Sequence, residues 1–189
     1  MSQPAGFADK VAFVWKVADK LRGHFKPHEY GSVMLPLLVL RRLDAVLEPT
    51  KAEVLKIAHG REDNAGTRAL LKRAAGQGFY NISPLTFVTL LNDDKNVAAS
   101  LRAYITGFSP DAAEVLEEYR FEDKITRLDK AGILYQVLGD FADLAQLVGD
   151  EDDRGALVAQ LAHDRHQFVG LLGSEHCGGL IENEHAGVP

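Results

Sequence analysis

The side chains that could do chemistry in this 189-residue chain fall into three groups. His163, His166, His176, Cys177 and His185 are of types that ligate zinc. His163 and His166 can share a helix face, but adjacent His176 and Cys177 do not have paired-ligand spacing and there is no second Cys. We therefore expect no metal site. Gly76-Gln77-Gly78 would cradle a phosphate only after a strand and with a third glycine opening a helix, and neither is present, so it reads as a helix end. The third group is cationic. Lys20, Arg22 and Lys26 close a first apolar helix, and Arg41 and Arg42 follow a second. Cations on a common rim bind phosphate and give affinity without sequence choice, which makes these five the candidate DNA contacts. The competing reading is structural: a Lys or Arg at a helix end caps carbonyls and solvates the surface, and Asp19 can pair with Arg22 at i, i+3. His24 and His28 read as surface residues, and no set of residues reads as catalytic.

The cations sit in the stretch from Trp15 to Asp44. Phe7, Val11, Val14, Trp15, Ala18 and Leu21 recur at helical spacing and predict a helix with one buried face, on which Trp15 is a core anchor. Gly23 ends it. A second helix is expected from near Pro27 to about Leu47, with Glu29-Tyr30 as a capping and packing pair. Val33 to Leu40 is apolar on nearly every side, so this helix is central and surrounded by others. Pro36 lies inside it and predicts a bend. Arg41 and Arg42 are expected near the surface at its end.

Further helices are expected over Lys51 to His59 and from a Thr67 cap through Ala75, with Leu70 and Leu71 inward. Ser83-Pro84 predicts a helix through Leu91 that buries Leu85 and Val88, and Asn96 to Thr106 another. Ser109-Pro110 opens Ala112 to Tyr119. Phe121, Ile125 and Leu128 form one face, and Asp129 is expected to cap a last helix with Ile133, Leu134, Val137, Leu138, Phe141 and Leu144 inward. Some eight helices and no convincing strand give an all-α class, a compact multi-helix bundle around a buried central helix at about 28–47.

Hydrophobic residues make up 46% of the chain, enough for one core. The single Cys suits a reducing compartment, and the longest apolar run is about half of the roughly 20 residues a membrane span needs, so the expectation is a cytoplasmic protein without a membrane segment. The formal net charge of −6 argues against binding nucleic acid by bulk charge. The charge is uneven, at +3 over residues 1–47, −3 over 48–147 and −6 over 148–189. Residues 148–189 also hold seven of the 17 glycines and four of the seven histidines. We therefore divide the chain into a helical domain, 1–145, and a divergent, poorly ordered acidic tail, 146–189, with one expected helix at Ala156 to Leu172.

The combination Trp15, Ala18-Asp19-Lys20-Leu21-Arg22-Gly23, Glu29-Tyr30 and Leu40-Arg41-Arg42-Leu43-Asp44 resembles the N-terminal helical domain of the modification (methyltransferase) subunit of type I restriction-modification systems. The similarity runs from about Phe7 to about Leu144. Gly31 departs from the pattern, since many relatives have Lys there. The resemblance implies a domain that helps enclose DNA and contacts the specificity subunit and other methyltransferase subunits. It also implies that S-adenosylmethionine binds a separate α/β domain in the intact enzyme. That domain's Asn-Pro-Pro-Phe/Tyr element is not found here, and some 45 residues after Leu144 are too few for a doubly wound sheet. The expectation is a truncated subunit, not catalytic on its own and holding no cofactor. The alternative is a stand-alone helical module that binds or blocks a restriction-modification complex.

Overall fold

Tyr30–Leu47 forms one continuous helix through Pro36, and Val33, Leu37, Leu40, Leu43 and Leu47 are all buried. An apolar surface this wide must be covered from several sides. The computed structural model describes residues 7–143, with side chains from Val11 onward. Among the described residues eight α-helices follow in order: α1 (Phe7–Leu21), α2 (Tyr30–Leu47), α3 (Lys51–Ala58), α4 (Ala65–Ala75), α5 (Val97–Thr106), α6 (Pro110–Glu118), α7 (Phe121–Lys130) and α8 (Leu134–Asp143). Short 3-10 turns at Pro27–Glu29, Glu48–Thr50 and Thr89–Asn92 link some of them. The class is all-α. Only two isolated bridges, Arg22 with Phe25 and Asn81 with Phe108, interrupt it among the described residues. No described helix is long and apolar enough to cross a membrane. Leu144, the tail from residue 146 and the helix expected at Ala156 to Leu172 lie outside the described residues.

The central helix is fastened by a buried carboxylate. Asp44 Oδ1 accepts the Tyr104 hydroxyl of α5 at 2.8 Å, and Oδ2 accepts the Phe87 backbone N–H at 3.1 Å and Arg41 Nη1 at 3.2 Å. This corrects the expectation for Arg41. It is 3% exposed and lies over the Phe87 ring, because a turn of helix separates it from a carboxylate that needs a cation. The Lys51 ammonium sits over the Tyr104 ring, 5.4 Å from its centroid.

Other departures have local causes. Trp15 is 62% exposed, and the inward face of α1 is instead Val17, Ala18 and Leu21. On the α8 side Phe13 meets Phe141 edge-on at 5.0 Å, so Trp15 lies on the opposite flank. The cap of α4 is Asn64, whose side chain accepts the Thr67 N–H at 2.9 Å, and Leu70 is exposed. Ser83 to Leu91 is not an α-helix but ends in the 3-10 turn at Thr89–Asn92, because its polar side chains bind the backbone first. Asn81 Oδ1 takes the Ser83 N–H, Ser83 Oγ takes the Leu85 N–H, and Thr86 and Thr89 bond each other. Phe87 and Leu90 turn inward and Val88 outward. Asp129 lies within α7, and its carbonyl accepts the Gly132 N–H at 2.9 Å. Gly107 matters for space: an added Cβ would stand 2.7 Å from Ser83, so the crossing of the 81–83 segment requires glycine there.

Two outcomes test this packing. Asp44→Ala strands the Arg41 guanidinium in the core and should cost about 3–5 kcal/mol in urea unfolding, part of which Arg41→Met in the same chain should restore. The single Trp should emit as a water-exposed indole and be quenched by acrylamide in the native state. A shielded, blue-shifted emission would contradict its placement on the outer flank of α1.

Candidate nucleic-acid interface

The turn between α1 and α2 carries two of the five candidate cations, Arg22 and Lys26, and its shape is set by its own residues. Gly23, at φ 85°, lets the chain leave α1. The Phe25 N–H bonds the Leu21 carbonyl at 3.0 Å, and its ring is buried. Pro27 opens the 3-10 turn. Glu29 Oε2 accepts the Lys26 N–H at 2.8 Å while the Glu29 N–H bonds the Lys26 carbonyl at 2.8 Å. Glu29 therefore caps, as its type and place suggested.

A residue far away in sequence completes the turn. Arg127 of α7 donates from Nη1 to Glu29 Oε1 at 2.9 Å, and its guanidinium carbon lies 4.2 Å from the centroid of the Phe25 ring. No local spacing points to Arg127. The one available signal was that it flanks Leu128 on a helix whose inward face is Phe121, Ile125 and Leu128. The hydrogen bond from Arg127, then that from the Lys26 backbone, holds the Glu29 carboxyl down at a pKa of about 2.

The five cations divide. Lys26 is exposed, and its ammonium has no partner among the described residues. Arg22 is exposed and pairs with Asp19 at 2.8 Å, the i, i+3 pair that the sequence allowed. Lys20 is engaged: it donates to Asp140 Oδ2 at 2.5 Å and to the Gln136 carbonyl at 3.2 Å. Lys16 takes the other oxygen of Asp140 at 2.9 Å, so two lysines of α1 close over one buried carboxylate of α8. Arg41 is in the core. Arg42 is half-buried with no partner among the described residues, but it lies twelve residues along α2 from Tyr30. At 1.5 Å per residue that is about 18 Å from the turn. The structure thus brings Arg22 and Lys26 together, adds Arg127, and removes Arg41 from the rim. His24 and His28 are exposed on the same turn.

The remaining chemistry can be placed. Gly76 takes φ 64° as the C-cap of α4, so the glycine pair ends a helix. S-adenosylmethionine does not fit what is described. Its cradle needs a glycine turn between a strand and a helix, and the described residues supply no such unit.

A family described as the HsdM N-terminal domain matches residues 11–141. No curated protein and no solved structure matches the chain.

The Glu29 carboxylate gives a pH test. Its folded pKa lies below its unfolded value, so it stabilises the fold fully above about pH 4.5 and loses that contribution as pH falls towards about 2. Glu29→Gln should lower the melting temperature at pH 7, and the gap to the native chain should close between pH 4.5 and 2 in circular-dichroism melts. A gap of constant size across that range would contradict the role assigned to Glu29.

Proposed function

This chain belongs to the family of HsdM N-terminal domains, the N-terminal domain of the methyltransferase subunit of type I restriction-modification systems, and on that premise we propose that it clamps DNA and joins subunits of an adenine-specific methyltransferase. Its family makes it a component of a type I restriction-modification complex. Within that complex the reading gives it the specificity subunit and other methyltransferase subunits as partners, in the cytoplasm. The observation that carries the reading is the turn from Arg22 to Glu29, held by the buried Phe25 ring and by Arg127 over it, with Lys26 exposed. An anchored turn presents its cations without losing much freedom on binding, which suits contact with a phosphate backbone. Arg42 is a separate, second contact at the far end of α2. Such contacts carry no sequence information, so target choice belongs to the specificity subunit. Methyl transfer is assigned to residues outside 7–143, and no catalytic role is given to any described side chain.

A second reading is favoured by α1, where Val11 and Trp15 stand exposed one turn apart. A stand-alone module would use such a surface to bind or block a restriction-modification complex.

Fluorescence anisotropy with a labelled duplex separates the two. The DNA reading expects weak binding that is indifferent to sequence. It also expects log K to fall with log salt at a slope of about −0.9 for each phosphate contacted. Arg22→Gln with Lys26→Gln should reduce affinity equally on all sequences and flatten that slope. Binding to a purified specificity subunit that Trp15→Ala abolishes, with no duplex binding at 50 mM salt, would favour the module. The chain alone should transfer no methyl group from S-adenosylmethionine to a duplex, and any transfer would overturn the assignment of catalysis elsewhere.

A further inference from the structure

Helix α7 carries a group of cations beside the α1–α2 turn. Arg120 is its N-cap, and Lys124 and Arg127 follow at i+4 and i+7, so the three line one side of the helix over about 10 Å. One end of that line is fixed at the turn. Arg127 donates to Glu29 Oε1 at 2.9 Å and lies 4.2 Å from the centroid of the Phe25 ring, next to the exposed Lys26.

Lys124 stands in the middle. It is half-buried, and its ammonium donates to the Tyr119 carbonyl. Its pKa falls below the ordinary lysine value, first through burial, against which the Asp123 charge acts, and then through the charges of Arg120 and Arg127. Cations that repel one another in this way destabilise the fold. Glu29 matches Arg127, but neither Arg120 nor Lys124 forms an ion pair among the described residues. Arg120 also bears a backbone cost. At φ 48° it occupies the left-handed region, where asparagine or glycine is at ease and arginine is not.

We propose that Arg120 and Lys124 extend the phosphate-contacting rim of the α1–α2 turn along α7, with Arg127 as the link to Lys26. The inference rests on the DNA-facing reading above and deepens it by giving the duplex a second line of contact. About 10 Å of helix matches the axial span of about three phosphates on one strand, at about 3.4 Å each. A phosphate beside Arg120 and Lys124 offsets their mutual repulsion, and the guanidinium offers it a two-pronged set of donors. Arg127 is a positioning residue here, since Glu29 already holds its guanidinium and the pair fixes α7 against the turn.

The experiment is anisotropy of the 189-residue chain with a labelled mixed-sequence duplex over a salt series at pH 7.5. Arg120→Asn removes the charge and suits the left-handed backbone, so its melting temperature should stay at or above the native value. It should weaken binding roughly five- to tenfold at about 0.1 M salt and flatten the slope of log K against log salt by about 0.9. Adding Lys124→Gln should flatten the slope by about 1.8 in all, with circular-dichroism melts checking that the double variant folds. Arg120→Lys keeps the charge and should keep the slope. A native slope in Arg120→Asn would overturn the inference and leave the DNA-facing reading standing. A flattened slope in Arg120→Lys would also overturn it, because the charge is retained there. Absence of duplex binding by the native chain at every salt concentration would overturn the DNA-facing reading itself.

Discussion

One carboxylate sets the terms for the packing of the central helix. Asp44 is buried on α2 and receives a phenol from α5, a backbone N–H from the 82–92 segment and a guanidinium from its own helix. A charge in a core costs several kcal/mol unless its oxygens are filled, and here both are. The arrangement fixes which turn of α2 faces α5 and holds Phe87 against Arg41. It also explains why a segment with no α-helix can lie on the core, since its buried Phe87 backbone N–H has a fixed acceptor. Lys51, over the Tyr104 ring, lies beside the same group. Burial lowers its pKa while the Asp44 charge acts to raise it.

Apolar periodicity was legible wherever a helix buries one narrow face. The faces of α5, α7 and α8 match the spacing of Leu101 and Tyr104, of Ile125 and Leu128, and of Val137, Leu138 and Phe141. It misled on α1, where the stripe is wider than the surface that α2 and α8 cover, and Trp15 falls off the edge. It misled again at 83–91, because Ser and Thr offered the backbone local partners that periodicity does not count. The class, the central helix and the family were therefore readable, and the site only in part. Arg22 and Lys26 are exposed, as expected of cations beyond a helix end. Arg41 was misplaced because adjacency to Arg42 says nothing of a carboxylate one turn on. Arg127 was invisible because its partner lies 98 residues earlier.

The cations of this domain show how little a count of basic residues says about binding. Lys16 and Lys20 hold α1 to α8 through Asp140, Arg127 holds the turn through Glu29, and Arg102 ties α5 to α7 through Glu122 at 2.8 Å. Each such cation is part of the scaffold and is paired with a carboxylate, Lys16 and Lys20 sharing one. What distinguishes the α1–α2 turn is that Lys26 is exposed there without a carboxylate partner among the described residues. In a subunit of a restriction-modification complex, weak contact of this kind is useful. On the DNA-clamping reading proposed above, it would add hold on the duplex without competing with the subunit that reads the sequence.

The pairing of α1 with α8 has a consequence during synthesis of the chain. Lys20 finds its carboxylate 120 residues later, and Phe13 finds Phe141 later still. At a translation rate of roughly 5–20 residues per second, α1 must wait on the order of ten seconds after leaving the ribosome before α8 can cover it. During that interval Val17 and Leu21 have no partner from the far end of the domain. Among the described helices α1 is thus the first made and one of the last to be secured.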